Sequence, residues 1–125
     1  VAEARDGDSI EIWGDGRQTR TFLYVDDCLA ATTSLARSTY AGPVNVGSEE
    51  LVSIADLVDL VADIAGKRIE KRFVTGPTGV RGRRSDNRIA EEKLGWRPTI
   101  PLRVGLERTF AWIEEQVRAS LKPHG

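Results

Sequence analysis

Apolar and polar residues alternate through SIEIW at positions 9–13, which predicts a half-buried strand ending at the turn Gly14, Asp15, Gly16. A looping excursion follows. The apolar residues 22–25 then lead to Asp26 and Asp27, either of which can cap a helix carrying Val25, Cys28, Leu29, Thr32 and Leu35 on one face, stopped by Gly42 and Pro43. PVNVGS at 43–48 is short, β-branched and bounded by turn residues, the pattern of a parallel-sheet strand buried on both faces.

Ser53, with Asp56 at the third position, predicts a capped helix whose Ile54, Leu57, Val58, Val61 and Ile64 recur at helical spacing until Gly66. Residues 68–74 read as a strand, followed by a glycine-punctuated loop over 75–84. Ser85 or Asp86 is expected to cap a helix running to Leu94 and closed by Gly95. The last helix opens near Pro101, presents Leu102, Leu106, Phe110, Ile113 and Val117, and frays around Lys122, Pro123 and His124. No internal repeat or low-complexity tract interrupts this order.

The 125 residues, 40% of them apolar, amount to one domain, expected to bury roughly two thirds of its unfolded surface. There is no methionine, so Val1 is not expected to be an encoded start, and the chain reads as a piece of a longer protein. Cys28 is the single cysteine and His124 the single histidine. No internal disulfide or zinc-type ligand cluster can be assembled from them, and a reducing, cytoplasmic setting fits. Asp56, Asp59 and Asp63 interrupt the longest helical candidate, so no run is expected to cross a bilayer.

The net charge of −1 conceals an asymmetry: residues 1–66 carry twelve acids against four bases, whereas residues 67–88 carry two acids against eight bases. Within this basic island, GPTGVRGRRSDN at 76–87 leaves a strand for a helix N-terminus, where orphan N–H donors favour anions. Arg81, Arg83 and Arg84 add forked donors suited to phosphate. The alternative is a solvated surface loop. Gly76, Gly79 and Gly82 imitate a dinucleotide fingerprint in spacing alone, since Pro77 and the arginines crowd the turn and no acidic ribose ligand follows.

Trp13 to Asp27, WGDGRQTRTFLYVDD, holds the second candidate. In an extended stretch Gln18 and Arg20 point to one side and Thr19 to the other, forming a clamp for a diphosphate or sugar. The competing reading is a polar turn with Arg20 paired to Asp26 or Asp27. Neighbouring acids (Asp26 and Asp27, Glu49 and Glu50, Glu91 and Glu92, Glu114 and Glu115) diverge by about 100° on a helix and read as caps and solvent faces. Cys28 reads as a buried, inert thiol. Trp13, Trp96 and Trp112 read as core or lid packing, with Trp13 placed to flank a ligand. Neither Tyr24 nor Tyr40 has a lysine four residues later, so the chain offers no tyrosine and lysine base pair.

These segments resemble the C-terminal substrate-binding part of the extended short-chain dehydrogenase/reductases that act on nucleotide sugars. WGDGRQTRTFLYVDD is similar to the stretch that reaches the nucleotide diphosphate, PVNVGS to a returning strand, and SDNRIAEEKLGWRP and PLRVGLERTFAWI to the closing helices. QTR at 18–20 together with GPTGVRGRRSDN is most similar to the subfamily of GDP-mannose 3,5-epimerases.

The resemblance implies an α/β fold class, here an α+β fragment: the substrate-binding portion (1–125) of an NAD(P)-binding Rossmann-fold enzyme, without the N-terminal nucleotide domain, with 43–48 completing the missing sheet. It places Gln18, Thr19 and Arg20 on the substrate and Arg81 on its diphosphate. It implies NAD, held upstream of Val1 and not by this chain, for hydride removal from and return to C4 of the sugar. It also implies a homodimeric, cytoplasmic parent, with the fragment inactive and its 43–48 edge open to self-association. Two alternatives remain: another NAD-dependent nucleotide-sugar epimerase, dehydratase or decarboxylase using UDP- or dTDP-sugars, and a basic module for nucleic acid. The pI of about 5.9 and the lack of aromatic residues among the arginines weigh against the latter. Nothing specific suggests a nonenzymatic partner-binding module.

Overall fold

The computed structural model describes residues 1–121. The expected fraying at Lys122, Pro123 and His124, and the histidine itself, lie outside the described residues. Four strands and four helices follow in the order β1 (Ser9–Trp13), β2 (Thr19–Thr21), α1 (Val25–Arg37), β3 (Leu51–Ser53), α2 (Ile54–Ala65), β4 (Glu70–Val74), α3 (Arg88–Leu94) and α4 (Leu102–Ser120).

β1 pairs in parallel with β4, Ile12 opposite Phe73, and β2 pairs antiparallel with β3, Arg20 opposite Val52. The alternation in SIEIW has its expected effect, with Ile12 2% exposed. β2 and β3 were not legible as strands, because three-residue segments with few apolar positions carry no period. Between β1 and β2 the chain turns at Gly16, whose φ of +70° suits only glycine and whose Cβ position lies 2.8 Å from the Phe73 ring and 3.0 Å from Ala55.

α2 matches its sequence closely. Ser53 Oγ accepts the Asp56 N–H at 3.0 Å, and Gly66 closes the helix in the left-handed conformation. α2 packs on α4, and Arg103 bonds Asp63 across that seam and Glu107 within its own helix. The α4 entrance is held from outside, by Glu50 Oε2 accepting the Leu102 N–H at 2.8 Å.

α1 departs from expectation in two ways. Its N-cap is Tyr24, without a side-chain capping bond, so neither Asp26 nor Asp27 caps it. The face turned inward carries Asp27 and Ala31, while Val25 and Leu29 stand 54% and 58% exposed and Cys28 is exposed rather than buried. Polar satisfaction decides this rotation. Asp27 Oδ2 accepts the N–H groups of Thr99 and Ile100 at 2.9 and 2.8 Å, Asp27 Oδ1 accepts the Thr99 hydroxyl at 2.8 Å, and the Asp27 carbonyl accepts Trp96 Nε1–H at 3.0 Å.

Ala31 thereby joins Ala90 and Trp96 in the core, with Leu23, Val44, Val46 and Leu94 packed against them. Segment 43–48 forms no strand, since no ladder partner runs beside it among the described residues. Val44 and Val46 turn toward the core while Pro43 and Asn45 are exposed, so one side is buried instead of two. α3 begins after Asn87 and takes no cap from Ser85 or Asp86; Gly95 ends it as expected.

Of the three tryptophans only Trp96 is core, Trp13 being 54% and Trp112 62% exposed. The accessible surface is 8783 Å², against about 6,600 Å² for a compact domain of this mass. Burial thus reaches about 56% of the unfolded surface, short of two thirds. No described helix is long and apolar enough to cross a membrane.

Candidate functional site

The two sequence candidates meet through their backbones. The Thr19 N–H donates to the Arg81 carbonyl at 2.9 Å, and Thr19 forms a parallel bridge with Gly82. β2 is therefore held by β3 on one edge and by the glycine-punctuated loop on the other. The half-buried Arg20 guanidinium donates to the Thr19 carbonyl at 2.7 Å and the Thr78 carbonyl at 3.4 Å. It does not pair with Asp26, which lies 3.6 Å from Arg108, nor with Asp27, which is committed to Thr99 and Ile100.

Gln18 is 8% exposed and donates from Nε2 to the Trp13 carbonyl at 3.0 Å. Its Oε1 is buried without a hydrogen-bond partner among the described residues. A buried acceptor left unpaired costs about 1 to 3 kcal/mol, so this amide is set to take an N–H or O–H. A hollow of about 280 Å³ is lined by Gln18, Asp15, Thr78, Gly79 and Arg81. Asp15 is the acid of this wall, and its Oδ1 accepts the Arg17 N–H at 2.9 Å. Donor-bearing groups of a ligand suit Gln18 and Asp15, and anionic ones suit Arg81.

The basic island divides in two. Lys67 donates to the Val1 and Ala2 carbonyls, Arg68 binds Asp6, Lys71 pairs with Asp59, Arg72 with Glu11 and Arg88 with Asp86. The Arg68 guanidinium, helped by the Arg68 N–H, holds the Asp6 carboxyl below the usual aspartate range, and Arg88 draws Asp86 down to about 2. Arg81, Arg83 and Arg84 are exposed and make no ion pair among the described residues. The sequence presented eight bases as one patch; folding engages five and leaves three without an ion pair among the described residues.

The glycine spacing that mimicked a dinucleotide loop provides no bare backbone. A Cβ at Gly76 would lie 2.8 Å from Trp13, one at Gly82 2.8 Å from Thr19 Oγ1, and one at Gly79 3.5 Å from the Arg20 guanidinium. These residues do not fit a dinucleotide cofactor. The Trp13 ring packs over Gly76 and is otherwise exposed. No three potential metal-ligating side chains cluster among the described residues. The paired acids serve as caps and ion-pair partners, with Glu50 on α4, Glu91 on Arg97 and Glu114 on Arg118. Asp27 is the exception, being buried at 4% exposure.

Sequence reasoning missed Asn87. It is 5% exposed, donates from Nδ2 to the Gly47 carbonyl at 2.8 Å, and accepts at Oδ1 from the Gly47 N–H at 3.2 Å and the Ser85 hydroxyl at 2.8 Å. Nothing periodic marks such a residue; its amide is complementary to the N–H and carbonyl of one glycine forty positions away.

Residues 1–47 match the NAD dependent epimerase/dehydratase family. The chain is 44% identical over 110 residues to GDP-mannose 3,5-epimerase of Arabidopsis thaliana, covering 88% of this chain and 29% of that protein. Among solved structures it is similar to UDP-glucose 4-epimerase of Thermotoga maritima with UDP-glucose, with a TM-score of 0.82, 29% identity, and coverage of 87% of this chain and 36% of the other. It is also similar to UDP-glucuronic acid 4-epimerase of Bacillus cereus in complex with UDP-glucuronic acid and NAD, with a TM-score of 0.79, 32% identity, and coverage of 85% and 35%. The chain is an α/β fragment homologous to NAD-dependent nucleotide-sugar epimerases, spanning about a third of their length or less.

Proposed function

We propose that this chain is the substrate-binding portion of an NAD-dependent nucleotide-sugar epimerase of the GDP-mannose 3,5-epimerase kind, in which Gln18, Thr19 and Arg20 contact the substrate and Arg81 its diphosphate. The observation that carries the reading is the joining of two distant loops at Thr19 and Arg81 beside a hollow lined by Gln18 and Arg81. The 44% identity to a plant GDP-mannose 3,5-epimerase supports the subfamily.

In this reading Arg81 neutralises a phosphate, Arg20 stiffens the Thr78 to Gly79 wall, and Gln18 accepts from a ligand N–H or O–H. Each charge-assisted contact contributes roughly 1.5 to 3 kcal/mol, or on the order of 10- to 150-fold in affinity. NAD supplies hydride chemistry when bound; its binding belongs to the part of the parent outside this chain, where residues 43–48 would pair into the sheet and a second copy would complete a cytoplasmic dimer.

Calorimetry on a full-length version tests this by comparing GDP-mannose with UDP-sugars. Preference for the guanosine ligand, with a tenfold or greater loss in Arg81→Gln, is the expected outcome. Preference for uridine overturns the subfamily and favours another nucleotide-sugar reaction, and an unchanged affinity in Arg81→Gln overturns the site.

A further inference from the structure

We propose that Asn87 is a positioning residue, a latch that locks the loop carrying Arg81 to the segment 43–48. Through that loop it sets the affinity of the hollow at Gln18 and Arg81, whose lining it does not join. The effect on affinity rests on the nucleotide-sugar reading; the latch stands without it.

The side chain gives up its ordinary task. Asn87 occupies the N-cap of α3, where an asparagine oxygen usually accepts an N–H of the first turn, yet it makes no side-chain capping bond. Its amide is turned to Gly47 instead, donating to the carbonyl at 2.8 Å and accepting the N–H at 3.2 Å. An amide suits this, since it carries a donor and an acceptor on separate atoms. Exchanging both bonds with one residue is what a neighbouring strand does in an antiparallel ladder, and 43–48 has no ladder partner among the described residues.

Close packing reinforces the latch. Gly47 lies outside the left-handed region, so room and not backbone conformation calls for glycine there: a Cβ would fall 2.6 Å from Ser85 Cβ and 3.0 Å from Ser85 Oγ. Ser85 in turn donates its hydroxyl to Asn87 Oδ1 at 2.8 Å, which orients the amide with Nδ2 toward the Gly47 carbonyl. The far end of the span is fixed at Gly82, bridged to Thr19, whose N–H donates to the Arg81 carbonyl at 2.9 Å. Residues 83–86 therefore run between two fixed points, and loosening at Asn87 is felt at Arg81 through a short segment. A loop already ordered loses less conformational freedom when a ligand arrives.

The test is amide hydrogen exchange on the 125-residue chain, followed by calorimetry with GDP. In Asn87→Ala, exchange at the Gly47 and Thr19 N–H groups should accelerate about fivefold or more beyond any acceleration in α2, which reports overall stability. Gly47→Ala should do the same, and the double variant Gly47→Ala/Ser85→Gly, which makes room for the added methyl, should recover most of the loss. Affinity for GDP should fall about fivefold or more in Asn87→Ala, although no lining residue has changed. If Asn87→Ala does not fold, Asn87→Asp, which keeps the acceptor and loses the donor, is read in the same way. Acceleration confined to Gly47, or equal to that of α2, overturns the latch, as does a double variant no better than Gly47→Ala. Faster exchange at both ends with GDP affinity unchanged within about twofold overturns the positioning role. A wild-type chain that does not bind GDP overturns the nucleotide-sugar reading and with it the effect on affinity, and the exchange result then decides the latch alone.

Discussion

Asp27 and Thr99 are joined twice, the Asp27 carboxylate accepting both the Thr99 N–H at 2.9 Å and the Thr99 hydroxyl at 2.8 Å. With the Ile100 N–H on the same carboxylate, this arrangement fixes the linker between α3 and α4 to the first turn of α1. Burial by itself would raise the pKa of Asp27. The hydrogen bonds from Ile100 and Thr99 outweigh it and hold the group below the ordinary aspartate range.

A depressed native pKa means that the native state releases this proton more readily than the unfolded chain. The stabilisation is complete above the unfolded value of roughly 3.9 and is lost as pH falls through the native one. Asp6 and Asp86, lowered by Arg68 and Arg88, act in the same direction. Asp27→Ala should cost about 2 to 3 kcal/mol at neutral pH, and Asp27→Asn should flatten the acid limb. Urea denaturation across a pH series checks both, and an unchanged acid limb in Asp27→Asn would remove Asp27 from the explanation.

The rotation of α1 predicts an inversion of ordinary mutational expectations. Leu29→Ser, at a residue 58% exposed, should change stability by no more than about 0.5 kcal/mol. Ala31→Leu, at a site with no exposure, should cost about 1 to 3 kcal/mol by overpacking against Ala90 and Trp96. Thermal melts of the two variants decide it; the reverse order would restore the apolar face read from sequence.

Gln18→Leu separates stability from binding. The substitution removes the bond to the Trp13 carbonyl and also the orphaned Oε1, so its effect on unfolding should stay within about 1 kcal/mol. Affinity for GDP should fall roughly tenfold. Calorimetry beside chemical denaturation checks this, and retained affinity would make Gln18 a packing residue.

Asn87→Ala should destabilise the chain by about 1 to 3 kcal/mol, because the Gly47 N–H and the Gly47 carbonyl both lose their partner. Hydrogen exchange at Gly47 is the direct readout, and unchanged protection there would show that the loop is held by other contacts.

The chain on its own should give no epimerisation of GDP-mannose with added NAD, as judged by sugar analysis of the product. It should also self-associate as concentration rises, since Val25, Leu29, Trp13 and Trp112 leave apolar surface uncovered. Turnover would overturn the first expectation, and a monomer at every concentration in sedimentation the second.

Local chemistry let the sequence determine β1, α2 and the helix-ending glycines at 66 and 95, because period, capping and alternation act within a few residues. It could also mark a basic loop, though not which arginines were free. Tertiary structure alone decided which face of α1 is inward and that Arg81 lies beside Thr19. Those outcomes depend on hydrogen-bond partners forty to seventy positions away, Gly47 for Asn87 and Thr99 for Asp27, and a buried polar group takes the orientation that satisfies it even where an apolar stripe points elsewhere.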